Sequence, residues 1–413
     1  MKEFITDLHF HSKYSRAVSP KMDLEHFYQW GLKKGLNLLG TSDFTHPQWF
    51  SELKKKLVRQ KNGFYRLKNT DQEIYFVPSA EISCIYKKNG QGRRIHILII
   101  APDLETVKKI NVQLGWIGNL KSDGRPILGC EAKEMAKIAL KASKKCLVIP
   151  AHIWTPWFSL FGSRSGFDRL EECFEEYSNK IYAIETGLSS DPPMNWRLKQ
   201  LDKKAIVSFS DAHSPNNLGR EATVFALKNP SYEKLFKAIK NNQIAYTIEF
   251  FPQEGKYHWD GHRKCQVRLS PQETKKNKGL CPKCGRKVTV GVMNRVDELA
   301  DRKENYQALS RPPFKSLVPL KQIISQVLGI GPKTKGVADE YENLIKQGKN
   351  EFNVLLNLKI EKIEKISTSK IAQGIKRIRE KKLNIKPGFD GQYGKVKVFA
   401  DKKEASIGQE SLF

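Results

Sequence analysis

Six of the nine histidines in this chain stand at or just beyond short apolar runs, close to carboxylates. They fall in His9-Phe10-His11, in Asp43 with His46, at His96, at His152 and in Asp211-Ala212-His213, with Glu81 inside a further run. Imidazole nitrogens and carboxylate oxygens are ligands that suit Zn, Mn or Fe. In His9-x-His11, alternation along a strand sends both imidazoles to the same side. A single Glu among several His can bridge two ions a few ångströms apart, which a two-metal hydrolytic site requires.

A second constellation follows at His262-x2-Cys265 and Cys281-x2-Cys284, the pairs separated by residues 266–280. Two close pairs of soft ligands describe a closed, structural tetrahedral zinc site, and Gly285 relieves the turn of the second knuckle. His258 is a rival for the imidazole of the first pair. Cys84, Cys130, Cys146 and Cys173 lie in apolar contexts that fit buried core thiols.

These side chains need elements to hold them. Apolar runs recur at Phe4 to Phe10, Leu36 to Thr41, Ile74 to Ile82, Arg94 to Ala101, Cys146 to His152, Ile181 to Thr186 and Ala205 to Ser210. Helix-like segments at Leu24 to Lys34, Leu104 to Leu120, Glu131 to Ser143 and Asp168 to Tyr177 separate most of them. Strands alternating with helices predict an α/β fold with a mainly parallel sheet, and seven units without a large break favour a barrel. In such folds the carboxyl ends of the strands converge on one face, so the ligand-type residues should meet there.

From about Pro312 the chain becomes helical and Lys-rich. Ile323 to Leu328, the turn Gly329-Ile330-Gly331-Pro332-Lys333-Thr334 and a following helix resemble a helix-hairpin-helix unit. There, glycine N–H groups meet a phosphate and a nearby Lys adds charge. The Gly-x4-Gly-Lys-Ser/Thr spacing of an ATPase loop is absent. Asp390-Gly391-Gln392-Tyr393-Gly394 reads as a turn in a small β element. Gln409, Leu412 and Phe413 resemble the anchor pattern that docks on sliding clamps such as PCNA.

Composition bounds the partners. The 413 residues carry 72 Lys+Arg against 44 Asp+Glu, net +28, with the excess denser after residue 250. This balance favours a polyanion, since neutralised phosphates release counterions. At 39% hydrophobic and 10% aromatic the chain is too apolar to be mainly disordered. Its longest apolar stretch, Ile97 to Pro102, is far short of a membrane span, and residues 1–7 lack the apolar core of a signal peptide. The expectation is a soluble, cytoplasmic monomer with no membrane partner.

His9-x-His11-Ser12 after Asp7-Leu8, Asp43, Glu81, His96, His152 and Asp211-Ala212-His213 resemble the PHP (polymerase and histidinol phosphatase) phosphoesterases. The resemblance implies a distorted seven-stranded (β/α) barrel holding two or three divalent ions (Zn, Mn or Mg), with Glu81 and Asp211 as catalytic carboxylates. His9, His11, Glu81 and Asp211 would hold one ion, and Glu81, His96 and His152 a second. The third would use His213 with Asp43 and His46 as candidates. Relatives have an acidic residue where Arg16 stands, and Thr-Asp-His where Ser42-Asp43-Phe44 stands.

With the zinc module and tail, the chain resembles the endonuclease Q family of DNA-repair nucleases over nearly its whole length. That resemblance implies hydrolysis, by metal-activated water, of the phosphodiester 5′ to uracil, hypoxanthine, xanthine or an abasic site. The products would be a 3′-hydroxyl and a 5′-phosphate, and the partner damaged double- or single-stranded DNA. Alternatives are a PHP-type 3′–5′ exonuclease or a small-molecule phosphoesterase. Candidate DNA contacts are Arg16, Trp154, Trp157, Gly329, Gly331 and Lys333. The expected organisation is a barrel over 1–250, a His/Cys3 zinc module over 251–310, a helical DNA-binding domain over 311–400 and a tail over 401–413.

Overall fold

The computed structural model of the chain describes residues 3–308 and 310–399. Gln409, Leu412 and Phe413 lie outside the described residues. Seven short strands form the barrel wall: Glu3–Asp7, Leu38–Gly40, Tyr75–Val77, Gln91–Ile100, Leu147–Pro150, Ala183–Glu185 and Ala205–Val207. Helices Leu24–Lys34, Leu104–Gly115, Ala132–Ala142 and Leu170–Phe174 lie between them. The first is bounded as its signals predict, with Asp23 accepting from the His26 N–H and Gly35 ending it at φ 89°.

The ring closes through backbone hydrogen bonds. The first strand pairs in parallel with the second, and the second with the third. The sixth and seventh are also parallel. Ile153 N–H donates to Glu185 O (3.2 Å), joining the fifth strand to the sixth. Asp211 N–H donates to His9 O (2.8 Å) and His11 N–H to Ala212 O (3.0 Å), joining the last strand to the first.

Two strands depart from the sequence expectation. Pro78 has no N–H and splits the third run, so Ile74 to Ile82 becomes Tyr75–Val77 and a separate long strand Ser79–Lys88. That long strand folds back in a hairpin, pairing with Gln91–Ile100 from Ser79↔Ile100 to Lys88↔Gln91. The fourth barrel strand therefore runs antiparallel to its neighbour Leu147–Pro150. His96 reaches the ligand face from the start of its barrel segment rather than from a carboxyl end. The first strand also stops at Asp7 rather than Phe10, so His9 and His11 lie just beyond regular pairing. The helix expected over Asp168 to Tyr177 is short, Leu170–Phe174, and continues as a 3-10 turn over Glu175–Lys180.

The sheet extends outward from the first strand through Ala222–Ala226 and Tyr246–Glu249, both antiparallel steps, to Phe314–Ser316. A hairpin, Asp260–His262 with Val267–Leu269, precedes helices Pro271–Lys276 and Val292–Leu299. Four α-helices follow: Leu320–Leu328, Lys335–Gly348, Ile360–Ile366 and Ser369–Arg379, then a hairpin of Asn384–Lys386 with Lys395–Lys397. A buried ion pair, Lys34 Nζ to Glu351 (2.7 Å), anchors the helical region on the first barrel helix. Glu351 also accepts from Leu320 N–H and the Tyr341 hydroxyl, which satisfies its remaining lone pairs. Among the described residues no helix is long and apolar enough to cross a membrane.

Behind the ligand face, Glu221 and Glu249 are both fully buried. Glu249 accepts from Ser208 Oγ (3.1 Å) and Glu221 from Phe250 N–H (3.3 Å), while one oxygen of each has no hydrogen-bond partner among the described residues. Burial pushes the Glu249 carboxyl up to about 8 and that of Glu221 well above its ordinary value. The folded state keeps protons that the unfolded chain releases above a pKa of roughly 4.3, so stability falls as pH rises from there toward 8. Thermal melts of Glu249→Gln should show a gain over wild type at pH 8 that shrinks toward pH 5. A gain of equal size at both pH values would show that Glu249 is ionised in the fold.

Candidate metal centres and an adjoining cleft

Glu81 leaves the Pro78 break on the long strand and enters the barrel mouth with no side-chain exposure. Its Oε1 lies 2.7 Å from His96 Nδ1, 3.0 Å from His152 Nε2 and 3.5 Å from His9 Nε2. Its Oε2 lies 3.3 Å from His11 Nε2 and 3.1 Å from Arg125 Nη1. Asp211 Oδ1 is 3.1 Å from His11 Nε2. Two groups result, His9/His11/Asp211 and Glu81/His96/His152, each with one ligand atom per residue and those atoms within 4.8 Å of one another. His9 Nε2 is buried without a hydrogen-bond partner, as a nitrogen that faces a cation would be. The donor set and this orphaned atom fit divalent metals.

A second layer orients these imidazoles. Both oxygens of Glu185 lie 2.9–3.0 Å from His9 Nδ1, and its Oε2 accepts the His152 backbone N–H at 2.8 Å. Asp43 Oδ1 is 3.3 Å from His11 Nδ1, while its Oδ2 accepts from Ser12 N–H (2.6 Å), Ser12 Oγ (2.7 Å) and Ser15 Oγ (2.8 Å). With Nδ1 occupied, each ring turns Nε2 to the centre. Asp43 thus supports His11 from behind. His46 belongs to neither group: its ring stacks on Tyr14 with centroids 4.3 Å apart. His213 stands beside the first group, its ring 4.7 Å from that of His11 and its Nδ1 2.9 Å from Asp211 O.

The electrostatics are those of a tightly matched cluster. Burial opposes charge on Glu81, yet the His96 and His9 imidazoles hold it well below the usual carboxylate range. Burial likewise opposes charge on His9 and His11, and their carboxylate neighbours push both well up. Burial takes His96 down to about 4. Backbone strain gathers here too. Asp43, His152 and Asp211 have φ of 38°, 31° and 45°, a left-handed region that non-glycine residues avoid. At Gly187 a Cβ would lie 2.3 Å from His152 Cβ, so only glycine lets the chain leaving the sixth strand pass this close to His152.

The cysteine constellation also assembles. His262, Cys265, Cys281 and Cys284 offer ligand atoms within 4.8 Å of one another, with His262 Nδ1 3.5 Å from Cys284 Sγ. Although burial opposes it, the Lys283 and Cys284 N–H groups and the neighbouring sulfurs bring the Cys281 thiol down to about 7, toward the thiolate that zinc takes. The rival His258 lies elsewhere. It lines a cleft of about 510 Å³ between the loop Thr155–Phe158 and the segment Gly255–His258, with His96 and His152 at one end.

The sequence-stated DNA candidates divide. Trp157 is 42% exposed in the cleft wall, edge-on to Tyr257 at 6.1 Å. Trp154 is a correction: at 1% exposure, with Nε1–H donating to Asn195 Oδ1 (2.8 Å), it is core packing and offers no stacking face. Arg16 is exposed near the barrel mouth, 3.5 Å from Asp123. Gly329, Gly331 and Lys333 are exposed in the turn between Leu320–Leu328 and Lys335–Gly348, far along the chain from the ligand face. Cys84, Cys146 and Cys173 are buried and Cys130 is half-buried.

Sequence reading missed Glu185 and Arg125. Glu185 ends the sixth strand, so the strand-end rule that found the histidines would have found it. Arg125 comes from a loop and carried no such signal.

Two outcomes follow. Glu185→Gln should weaken divalent-metal affinity about 10- to 100-fold in calorimetric titration, because His9 loses the charged carboxylate that raises its basicity, and one of the two oxygens that fix His9 and the His152 N–H becomes a donor. Cys281→Ser should reduce zinc by one ion per chain in atomic absorption and destabilise residues 251–310, since metal binding there is folding free energy. Unchanged affinity or unchanged zinc content would overturn the respective assignment.

The comparisons with known proteins agree with this architecture. Residues 198–244 match the family described as PHP-associated, and residues 319–382 the MJ0043 C-terminal domain. The chain is 38% identical over 258 residues to protein MJ0043 of Methanocaldococcus jannaschii, covering 61% of this chain and 32% of that protein, so it spans about a third of that relative's length. It is 29% identical over 420 residues to YqxK of Bacillus subtilis, covering 96% of this chain and 100% of YqxK. The lesion-specific endonuclease PfuEndoQ of Pyrococcus furiosus superposes with a TM-score of 0.85 at 32% identity, over 99% of this chain and 100% of its own. Endonuclease Q in complex with a 27-mer duplex substrate, with an abasic lesion at the active site, gives 0.85 at 33% identity over 100% of both chains. A chain that shares a third of its residues with these enzymes and follows their backbone over its full length belongs to the endonuclease Q family.

Proposed function

We propose that this protein is a DNA-repair endonuclease that hydrolyses the phosphodiester 5′ to a deaminated base or an abasic site, leaving a 3′-hydroxyl and a 5′-phosphate. The observation that carries the reading is Glu81, whose two oxygens stand between the two ligand groups, with its neighbours His96 and His152 lining an aromatic-walled cleft. Family membership supports it, as does the strong basic charge.

His9, His11 and Asp211 would hold one divalent ion and Glu81, His96 and His152 another, with Glu81 shared; His213 stands where a further ion could be met. Bound there, such ions supply Lewis-acid charge to a phosphate and lower the pKa of a water. The chain's own residues do the rest. Glu185 and Asp43 hold the Nδ1 side of His9 and His11, so neither ring turns during reaction. Arg125, 3.1 Å from Glu81, adds positive charge where a scissile phosphate approaches. The cleft between Trp157 and Tyr257 takes the nucleotide that leaves the duplex, because a pocket can read a base's paired edge only once the base is out of the stack. Exposed Gly331 and Lys333 meet a backbone phosphate in a helix-hairpin-helix manner, and Arg16 meets one near the mouth. In this reading residues 1–250 cut, 251–310 build the far wall of the cleft, and 311–400 hold DNA. Gln409, Leu412 and Phe413 would recruit a sliding clamp.

The test is one duplex carrying a single uracil, hypoxanthine or abasic site, with product ends mapped. A single cut 5′ to the lesion is the expected result. A ladder of shortened 3′ ends would show an exonuclease instead, and hydrolysis of small phosphate esters alone a small-molecule enzyme. Glu81→Ala and Asp211→Ala should abolish cleavage while leaving duplex affinity largely intact, since affinity comes mainly from Lys and Arg. Full turnover in either variant would remove the metal-hydrolysis reading.

A further inference from the structure

The turn Asp390-Gly391-Gln392-Tyr393-Gly394 is far from the barrel in sequence, yet the fold pins it beside the cleft. Phe389 and Gln392 exchange backbone hydrogen bonds (3.0 and 2.8 Å) around Asp390 and Gly391, both at positive φ, which is the two-residue hairpin that Asp-Gly favours. Asp390 accepts from Arg263 N–H (2.6 Å) and from Thr289 Oγ1 (2.7 Å). Gly391 N–H donates to Lys256 O and Gly394 N–H to Glu254 O, each at 3.0 Å. At Gly394 a Cβ would meet Gln253 O at 2.0 Å, so the backbone is pressed directly onto the segment that leads into the cleft wall.

This rigid mounting presents one side chain to solvent. Tyr393 is 70% exposed, with the Lys256 ammonium 4.6 Å from its ring centroid. Lys256 itself lines the cleft beside Tyr257. An aromatic ring thus stands beside the cleft wall, outside the cleft itself. A ring held out on an immobile turn pays its ordering cost before binding, as a stacking surface should.

We infer that Tyr393 is a stacking residue for duplex substrate, packing against the base pair next to the extruded nucleotide in the space that nucleotide leaves, with Lys256 beside it on the DNA backbone. The inference rests on the endonuclease reading above and extends it to a residue outside the metal groups and the cleft lining. It requires the effect to be specific to duplex, because a single strand has no vacated stack to fill.

The test uses the full chain with its metals. Cleavage of one uracil-bearing sequence, as duplex and as single strand, is measured for wild type, Tyr393→Phe and Tyr393→Ala, with kcat and KM separated. Zinc content and melting temperature are recorded for each. Tyr393→Ala should raise KM on duplex about tenfold or more, the scale of one lost base–aromatic stack, and change single-strand cleavage less than about twofold. Tyr393→Phe should behave as wild type, since the ring is what stacks. Equal losses on both substrates, loss in the Phe variant, or a lowered zinc content in the Ala variant would overturn the inference, as would no loss at all. If wild type cuts neither substrate, the endonuclease reading itself fails, which is distinct from an active wild type matched by Tyr393→Ala.

Discussion

One buried carboxylate sets the terms for the barrel mouth. Glu81 has no exposure, and its oxygens face four imidazoles and a guanidinium within 2.7–3.5 Å. A carboxylate removed from water is costly unless cationic groups or hydrogen bonds surround it, so every element that supplies one is constrained together. Pro78 breaks the third run so that Glu81 points inward, and the hairpin that follows reverses the fourth strand so that His96 meets it. The distortion of the barrel and the assembly of its ligands are one event.

The strain at Asp43, His152 and Asp211 is held by the surroundings rather than by these residues. Asp7 accepts from Ser210 N–H (3.0 Å) and Gly219 N–H (2.8 Å), which fixes the chain on both sides of Asp211. Trp49, fully buried, donates from Nε1 to Thr41 O and Ser42 O, both at 3.0 Å, which fixes the turn into Asp43. Glu185 grips the His152 N–H while Gly187 leaves room for its side chain. Pre-set geometry of this kind spares the ligands reorganisation when a substrate arrives.

The cleft beside the ligand groups is a composite. One wall is a barrel loop, the other is the segment leading into the cysteine cluster, and the C-terminal turn is clipped to that second wall by Asp390 and the backbone of Gly391 and Gly394. Disruption of the His262, Cys265, Cys281 and Cys284 group would therefore loosen a wall of the cleft as well as the module. The His/Cys cluster acts at a distance from chemistry but in mechanical contact with it.

The sequence by itself determined the ligand types and most of their positions. His9, His11, Glu81, His96, His152 and Asp211 were legible because strand periodicity and apolar runs place residues at strand ends, and His262 with the three cysteines because chelation demands close pairs. It also determined the alternation of strands and helices and the Asp-Gly hairpin. Tertiary structure alone decided the rest. Periodicity cannot show the direction of a strand, so the reversal of Gln91–Ile100 was invisible until its partners were known. Exposure depends on what packs from afar: Trp154 and Trp157, in one loop, read alike, yet the first is buried with its Nε1–H on Asn195 and the second stays open in the cleft wall. That Asp43 backs His11, that His46 stacks on Tyr14, and that Tyr393 sits beside Lys256 all turn on contacts between residues distant along the chain, which no local pattern encodes.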